Sequence, residues 1–239
     1  MTVEFSRIGV AVPARNEEAT VAACVVSIAQ AARRVDLPVD IIVVCDSCTD
    51  ATPARAMQAG ARILTLDKRN VGAARAAGIA DLLSASGPTG LWLATTDADS
   101  VVPRDWLERM LEAGRSGYAA VAGTVRVEDW RQHPPKLIAA YHRHYARGIG
   151  SEGHGHVHGA NLGFSAVAYE RIGGLPPLAL AEDHALIDAF VDSGRSVARL
   201  TDLIVTTSAR LDGRASGGFA DFLRSLVRED SLATDTSPA

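Results

Sequence analysis

The chain has few of the features on which disulfide-stabilised, membrane-spanning or nucleic-acid-binding proteins depend. Its 239 residues include three cysteines, too few and too odd in number for a disulfide framework. No apolar run approaches the ~20 residues that span a bilayer, and the first residues lack the basic and apolar regions of a signal peptide. The net charge is -4, so the protein has no overall positive potential that would attract nucleic acid. We therefore expect a cytoplasmic protein with no transmembrane segment and no nucleic-acid partner.

Two of the three cysteines, Cys45 and Cys48, form a CxxC pair. Such a pair occurs in redox centres and as half of a zinc site, but the sequence has no second CxxC pair. Cys45 ends an apolar run and does not open a helix, where the helix dipole would lower the pKa of a thiol. The pattern therefore favours structural thiols over redox or zinc chemistry.

The first half of the chain alternates short apolar runs with helical patterns. The runs are rich in β-branched side chains and are bounded by turn residues, as buried strands are. Asn16 is the predicted N-cap of the helix after the first run. This alternation lasts to about residue 123 and predicts an α/β fold with a mostly parallel central sheet flanked by helices. The four predicted strands are Ile8–Val12, Val39–Cys45, Ala61–Leu66 and Leu91–Thr95.

The regular alternation stops after residue 123. We predict helices over residues 135–145, 169–173, 180–194 and 218–227, and strands over residues 161–167, 197–200 and 203–207. Residues 229–239 have too little apolar surface to pack and are predicted to be disordered. The length suits one domain with a substantial core, which we place at residues 1–228.

Two carboxylates one residue apart, Asp97 and Asp99, follow the fourth predicted strand. Ligands of such sheets bind beyond the carboxyl ends of the strands. Carboxylate oxygens are hard ligands, and a divalent cation such as Mg²⁺ or Mn²⁺ relieves the repulsion between two of them. The pair therefore predicts a metal that carries phosphate. The alternative is that both residues cap the helix suggested by residues 102–114.

Further polar residues follow the other predicted strands. Glu17 lies in the turn after the first strand, Asp46 follows the second, and Arg75 lies in the segment after the third. Each has an ordinary structural explanation, as a helix-dipole acid, a turn cap or a surface ion-pair partner. Together with the metal pair they supply an acceptor for a base N–H, a cation for phosphate and a metal site. These are the parts that a nucleoside diphosphate site needs.

Five short motifs, taken together, carry a resemblance to a known family. In chain order they are Pro13–Glu17, Asp46 with Thr49 and Asp50, Asn70–Gly78, Asp97–Asp99, and Glu182 with Asp183. This ordered set, spread over about residues 7–195, resembles the family 2 glycosyltransferases of the GT-A fold. The resemblance implies a donor-binding part over about residues 1–123 and an acceptor and catalytic part over about residues 124–228.

The resemblance implies that one group of residues binds a nucleotide-sugar donor and its metal. Asp97 and Asp99 would hold Mg²⁺ or Mn²⁺, with Asp97 also bordering the sugar, and Arg75 would approach the diphosphate. The residues that would line the base and ribose are Ala14, Glu17 and Asp46.

A second group would act on the acceptor. Asp183, with Glu182 beside it, matches the position of the family's general base, and a carboxylate there can take a proton from the attacking hydroxyl. An Asp base implies inversion at the anomeric carbon. Both residues also fit a simpler explanation, as acids in the first turn of a helix. Ser208 and Arg210, after the last predicted strand, could reach the diphosphate as a closing segment.

The chain departs from the family pattern in two places. Arg75 is followed by Ala76 and Ala77, where the family tends to have Arg-Asn, which weakens the predicted donor contacts there. The Q-x-x-R-W motif of the processive polysaccharide synthases is missing. Transfer of one sugar to a small-molecule, lipid or glycan acceptor is therefore expected. The sequence does not identify the sugar or the nucleotide base. It also leaves the oligomeric state open, and a homodimer is one possibility.

Three alternating histidines, His154, His156 and His158, lie in a glycine-rich stretch. Neutral imidazole suits transition metals, so metal binding by this group is one hypothesis. The glycines favour a different one, a mobile loop over the acceptor pocket.

Two other functions would use some of the same residues. A haloacid dehalogenase type phosphatase would use Asp97 as its nucleophile, but that nucleophile usually follows the first strand, and three β-α units come earlier here. A non-catalytic nucleotide-sugar binding module would keep the metal pair and lack a base. The presence of Asp183 argues against such a module.

Overall fold

The computed structural model describes residues 4–131, 133–150, 153–175, 181–210 and 221–226. A short 3-10 turn, Gly159–Asn161, precedes the eighth strand. The strands are β1 (Arg7–Ala14), β2 (Val39–Asp46), β3 (Arg62–Leu66), β4 (Leu91–Thr95), β5 (Ala120–Val127), β6 (Ile149–Gly150), β7 (Gly153–His154), β8 (Leu162–Ser165) and β9 (Val197–Thr207). The helices are α1 (Val21–Ala32), α2 (Thr52–Gln58), α3 (Val71–Ser86), α4 (Trp106–Arg115), α5 (Pro135–Arg147), α6 (Ala166–Arg171) and α7 (Glu182–Asp192).

Seven of the strands form one sheet in the order β3-β2-β1-β4-β8-β5-β9. The paired strands among β1 to β4 run parallel, and so do β5 and β9. β8 lies antiparallel between β4 and β5. The predicted mostly parallel α/β sheet is therefore confirmed. β6 and β7 pair separately as a short antiparallel hairpin.

Helices cover both faces of the sheet, which explains why its strands read as continuous apolar runs. On one face, Val25 of α1 and Trp106 of α4 belong to the same buried cluster as Trp92 of β4. On the other face, Ile79 of α3 joins the cluster that contains Leu93. Successive residues of β4 thus enter opposite layers of the core, as the two-residue period of a strand requires.

The first helix starts later than predicted. α1 begins at Val21 with Thr20 at its N-cap, so the prediction that Asn16 caps this helix is wrong. Asn16 instead has a φ of 54°, a left-handed conformation that asparagine adopts more readily than most residues. The turn after β1 is therefore several residues long and leaves its polar side chains at the sheet edge.

The carboxyl-terminal half contains more strand than the sequence predicts. β9 is one continuous strand where two were predicted, and it pairs with β5, which was not predicted. Residues 221–226 are helical, in agreement with the predicted helix over residues 218–227, whose other residues lie outside the described part of the chain. The predicted disordered tail also lies outside it. Of the helices described, none is long and apolar enough to cross a membrane.

The buried side chain of Asn161 joins β5, β9 and α4. Its Nδ2 donates to the carbonyl oxygens of Thr124 and Leu203, both at 2.8 Å, and its Oδ1 accepts the indole N–H of Trp106 at 2.9 Å. Gly123 leaves the space for this amide, because a Cβ at that position would collide with Asn161 Nδ2. The 3-10 turn is consequently held firmly in the sheet.

We predict that Asn161→Ala lowers the free energy of unfolding by about 3 kcal/mol, because it leaves three buried polar groups without their partner. Urea unfolding followed by circular dichroism measures this loss. Ser84→Ala is the control, since the Ser84 hydroxyl is exposed on α3. Equal stability of the two variants would show that the Asn161 amide does not hold these elements together.

Candidate active site

The carboxyl ends of β1, β2 and β4 lie at one edge of the sheet, because these neighbouring strands run parallel. The loop after β4 carries Asp97 and Asp99. α4 begins only at Trp106, with Asp105 at its N-cap. The alternative that Asp97 and Asp99 cap this helix is therefore wrong, and both carboxylates lie at the edge where ligands of α/β sheets bind.

Two loops at this edge are joined by hydrogen bonds between their residues. The Oδ1 atom of Asn16 accepts the backbone N–H of Thr49 at 2.8 Å. The backbone N–H of Glu17 in turn donates to Thr52 Oγ1 at 2.7 Å. These bonds tie the β1–α1 turn to the β2–α2 loop and form one wall of the site.

The CxxC cysteines belong to the same wall. Cys48 Sγ donates to the carbonyl oxygen of the buried Ala14 at 3.4 Å and accepts the backbone N–H of Asn16 at 3.4 Å. Burial raises the pKa of Cys45 to about 12, and the neighbouring Cys48 adds to this rise. All three cysteines are free. The prediction of structural thiols agrees with this arrangement.

Asp46, predicted to contact a nucleotide base, is buried and holds the loop before α3. Its Oδ1 accepts the backbone N–H groups of Lys68 and Arg69 at 2.7 and 2.9 Å, and its Oδ2 accepts that of Asn70 at 2.7 Å. Burial alone would raise the pKa of Asp46, but these hydrogen bonds outweigh burial and lower the pKa below its ordinary value. Asp46 therefore positions this loop as an ionised carboxylate.

Arg75 lies at the centre of the site, with a side chain only 2% exposed. Its Nε donates to Thr95 Oγ1 at 3.0 Å, and one terminal nitrogen donates to Asp97 Oδ1 at 2.8 Å. The other terminal nitrogen forms an ion pair with Glu182. A buried cation is stable only when it is paired and hydrogen-bonded. To approach a diphosphate, as predicted, Arg75 would have to leave these carboxylates.

The acidic pair at the start of α7 divides between two environments. Glu182 is buried against Arg75, whereas Asp183 is only partly buried. Asp183 Oδ2 accepts the backbone N–H of Gly159 at 2.8 Å, and its Oδ1 accepts that of His184 at 2.8 Å. No cation in the described ranges forms an ion pair with it. Asp183 is thus an oriented carboxylate that can accept a proton.

A second arginine joins the turn after β1 to the loop after β4. Arg210 donates both terminal nitrogens to the buried Glu17, at 2.7 and 2.5 Å, and lies 3.1 Å from Asp99 Oδ2. The backbones of Val101 and Thr206 exchange hydrogen bonds and bring the end of β9 to this point. The segment after β9 therefore reaches Asp99, and its contact with a diphosphate stays a prediction.

Asp97 and Asp99 are the side chains that could hold a divalent metal. Burial raises the pKa of Asp99 to about 6, while Arg210 opposes this rise and the carboxylates of Asp97 and Glu17 add to it. The side chain of Asp97 is 37% exposed, so it can reach a ligand. Mg²⁺ is often bound by one or two carboxylates, with water and substrate phosphates completing its shell. The two carboxylates fit such a metal.

The histidine side chains of this stretch pack against neighbouring residues, and the mobile loop over the acceptor pocket stays a prediction. His156 stacks on Tyr145 with ring centroids 3.9 Å apart. His154 is buried, with Nε2 3.0 Å from the carbonyl oxygen of Ala122, and His158 Nε2 lies 3.3 Å from Tyr145 Oη. Among the residues described, no three His, Cys, Asp or Glu side chains are grouped to hold a metal.

Three residues that shape the site were not predicted from the sequence. Thr52 and Asn161 form hydrogen bonds with backbone groups of distant loops or strands. The backbone N–H of Gly159 donates a hydrogen bond to the carboxylate of Asp183. None of them belongs to a periodic pattern or to a motif with known spacing. Only the proximity of Gly159 and Asn161 to the histidine stretch marked this segment in the sequence.

Comparison with protein families identifies the family to which the sequence is similar. The model for glycosyl transferase family 2 matches residues 9–173, well over half of the chain. Comparison of the sequence with curated proteins returns no match.

Solved structures share the fold over nearly the whole chain. A mannosyltransferase of Pyrobaculum calidifontis, in complex with GDP-Man and Mn²⁺, has a TM-score of 0.64 and 19% identity. The alignment covers 98% of this chain and 66% of that one. TarS of S. aureus with UDP-GlcNAc has a TM-score of 0.63 and 14% identity, over 98% and 68% of the two chains. These structures have the GT-A fold, so the predicted fold class is confirmed.

A third structure is glucosyl-3-phosphoglycerate synthase of Mycobacterium tuberculosis with Mg²⁺ and UDP. Its TM-score is 0.58 and its identity 20%, over 94% of this chain and 79% of that one. The present chain thus spans about two thirds of the first two structures and more of the third. At these identities the likeness concerns the fold.

The histidine stretch predicts a pH effect on stability. Burial lowers the pKa of His158 from 6.5 to about 4, and the neighbouring His156 adds to this decrease. The unfolded chain therefore binds the proton more readily between these two values. The contribution of His158 to stability is complete above pH 6.5 and is lost as pH falls to about 4.

Urea unfolding midpoints between pH 7 and pH 4 measure this effect. We predict that the unfolding midpoint falls less steeply with decreasing pH in His158→Gln than in the wild type. The control is His142→Gln, which changes an exposed histidine of α5. Its unfolding midpoint should fall with decreasing pH as steeply as that of the wild type. A decrease in His158→Gln as steep as that of the wild type would contradict the assignment.

Proposed function

Because the chain belongs to glycosyl transferase family 2, we propose that it transfers one sugar from a nucleoside diphosphate sugar to an acceptor hydroxyl. Asp97 and Asp99 would hold Mg²⁺ or Mn²⁺ with the donor, and Asp183 would be the general base. One observation carries the proposal. The acidic residues at the sheet edge form two groups, Asp97 with Asp99 and Glu182 with Asp183, and the buried Arg75 forms ion pairs with both groups.

On the donor side, a metal held by Asp97 and Asp99 would neutralise the charge that develops on the leaving diphosphate. Glu17 and Asp46, with the buried Ala14, border the edge where the base and ribose would bind. The related structures contain GDP-Man with Mn²⁺, UDP-GlcNAc, and UDP with Mg²⁺. Sugars of both GDP and UDP are therefore the candidate donors.

On the acceptor side, Asp183 would take the proton from the hydroxyl as it attacks the anomeric carbon. The two backbone N–H groups that it accepts fix the direction of its carboxylate, and correct orientation is a large part of such catalysis. A single displacement of this kind inverts the anomeric configuration. Glu182 would be a positioning residue, since its carboxylate neutralises Arg75.

A panel of GDP and UDP sugars with Mn²⁺ tests the proposal, with nucleoside diphosphate release and thermal shift as readouts. Release that depends on the metal, on one class of donor and on an added acceptor is the expected result. Phosphate release from phosphomonoesters without a response to any nucleotide sugar would favour the phosphatase alternative. Binding without turnover across a broad acceptor panel would favour a non-catalytic binding module.

We predict that Asp183→Asn lowers kcat by about 10³-fold, as the loss of a general base does, while donor affinity changes little. Isothermal titration with the nucleoside diphosphate and Mn²⁺ measures that affinity separately. Asp188→Asn, an exposed acid on the same helix, is the matched control and should keep wild-type turnover. Equal loss of turnover and donor binding in Asp183→Asn would contradict its role as the base.

A further inference from the structure

We propose that Gly159 is a positioning residue that sets the direction of Asp183 and the place of Arg75 through one short piece of backbone. Arg75 in turn holds Asp97, so Gly159 links the donor side of the site to the acceptor side. This inference rests on the proposed function, because it assigns Gly159 a part in the same reaction.

The first contact is a hydrogen bond to the candidate base. The backbone N–H of Gly159 donates to Asp183 Oδ2 at 2.8 Å. The other carboxylate oxygen of Asp183 accepts the N–H of His184 in its own helix. In the described part of the chain, Gly159 is therefore the hydrogen-bond donor that reaches this carboxylate from outside α7, and it fixes the carboxylate against the sheet.

The second contact is with the guanidinium of Arg75. A Cβ on Gly159 would lie 2.5 Å from one terminal nitrogen of Arg75 and 2.6 Å from its Cζ. The absence of a side chain at position 159 therefore lets the guanidinium lie flat against the backbone. Gly159 has no positive φ, so the need for glycine comes from this lack of space and not from backbone conformation.

Neither partner of this contact has room to move away. The backbone is held two residues later by Asn161, whose buried amide makes three hydrogen bonds. The guanidinium is buried and bonded to Thr95, Asp97 and Glu182. An added methyl group must therefore displace either the N–H that holds Asp183 or the cation that holds Asp97.

The matched pair Gly159→Ala and Gly155→Ala tests the inference. A Cβ at Gly155, in the same segment, meets no atom closer than the carbonyl oxygen of Gly148 at 3.9 Å, and its φ is not positive. We expect kcat to fall on the order of 10²-fold in Gly159→Ala and to change no more than about twofold in Gly155→Ala.

A double-mutant cycle with Arg75→Lys identifies the partner. A lysine lacks the planar guanidinium and leaves space for a Cβ, so Gly159→Ala should reduce kcat much less in the Arg75→Lys background than in the wild type. Additive losses would overturn the inference, because they would show that Gly159 does not act through Arg75.

A pH profile supplies a readout that does not depend on the yield of Gly159→Ala. A weaker N–H donor stabilises an ionised carboxylate less, so the acid limb of the kcat profile should move to higher pH in Gly159→Ala, in which the added Cβ displaces the N–H that binds Asp183. An unmoved acid limb in Gly159→Ala would overturn the inference. If Gly159→Ala fails to fold, the double variant of Gly159→Ala with Arg75→Lys should still fold, because lysine leaves space for the Cβ, and failure of both variants to fold would overturn the inference.

The proposed function and this inference fail in different ways. If the wild type releases no nucleoside diphosphate from any GDP or UDP sugar, the proposed function is wrong. If the wild type is active and Gly159→Ala behaves as Gly155→Ala does, only the positioning role of Gly159 is wrong.

Discussion

The site depends on one buried ion-pair group, in which Arg75 of α3 holds Asp97 after β4 and Glu182 at the start of α7. These residues come from three distant parts of the chain, and a cation buried this deeply is stable only with its anionic partners present. The group therefore holds the loop after β4 and the helix of Asp183 in a fixed relation. In our proposal the metal carboxylates and the base depend on it for their spacing.

A second set of contacts holds the edge around this group. Arg210 draws the end of β9 against Glu17 and Asp99, while Asp46 holds the loop before α3 through backbone N–H groups. Several residues that the family resemblance assigns to donor contacts thus also fix the loops that would form the donor pocket. In our proposal, a pocket held by such loops would be largely formed before the donor enters, which would reduce the entropy lost on binding.

The sequence predicts the first half of the fold well, because buried parallel strands give continuous apolar runs and the acids that follow them fall at one sheet edge. It predicts the second half less well. The pairing of β5 with β9 is irregular, and the buried amide of Asn161 hydrogen-bonds to both strands there. No local sequence pattern predicts such a contact. For the same reason the sequence identifies Arg75 and Asp183 as candidates and gives no sign that Gly159 lies against both.

A crystal structure with Mn²⁺ and a nucleoside diphosphate, with the metal located by its anomalous scattering, is the most direct test of the division between a donor side and an acceptor side. Our account predicts the Mn²⁺ peak at Asp97 and Asp99, with Arg75 still bound between Asp97 and Glu182 and with Asp183 away from the metal. A metal bound by Asp183 or by the histidine stretch, or an Arg75 that has left Glu182 for the diphosphate, would contradict it.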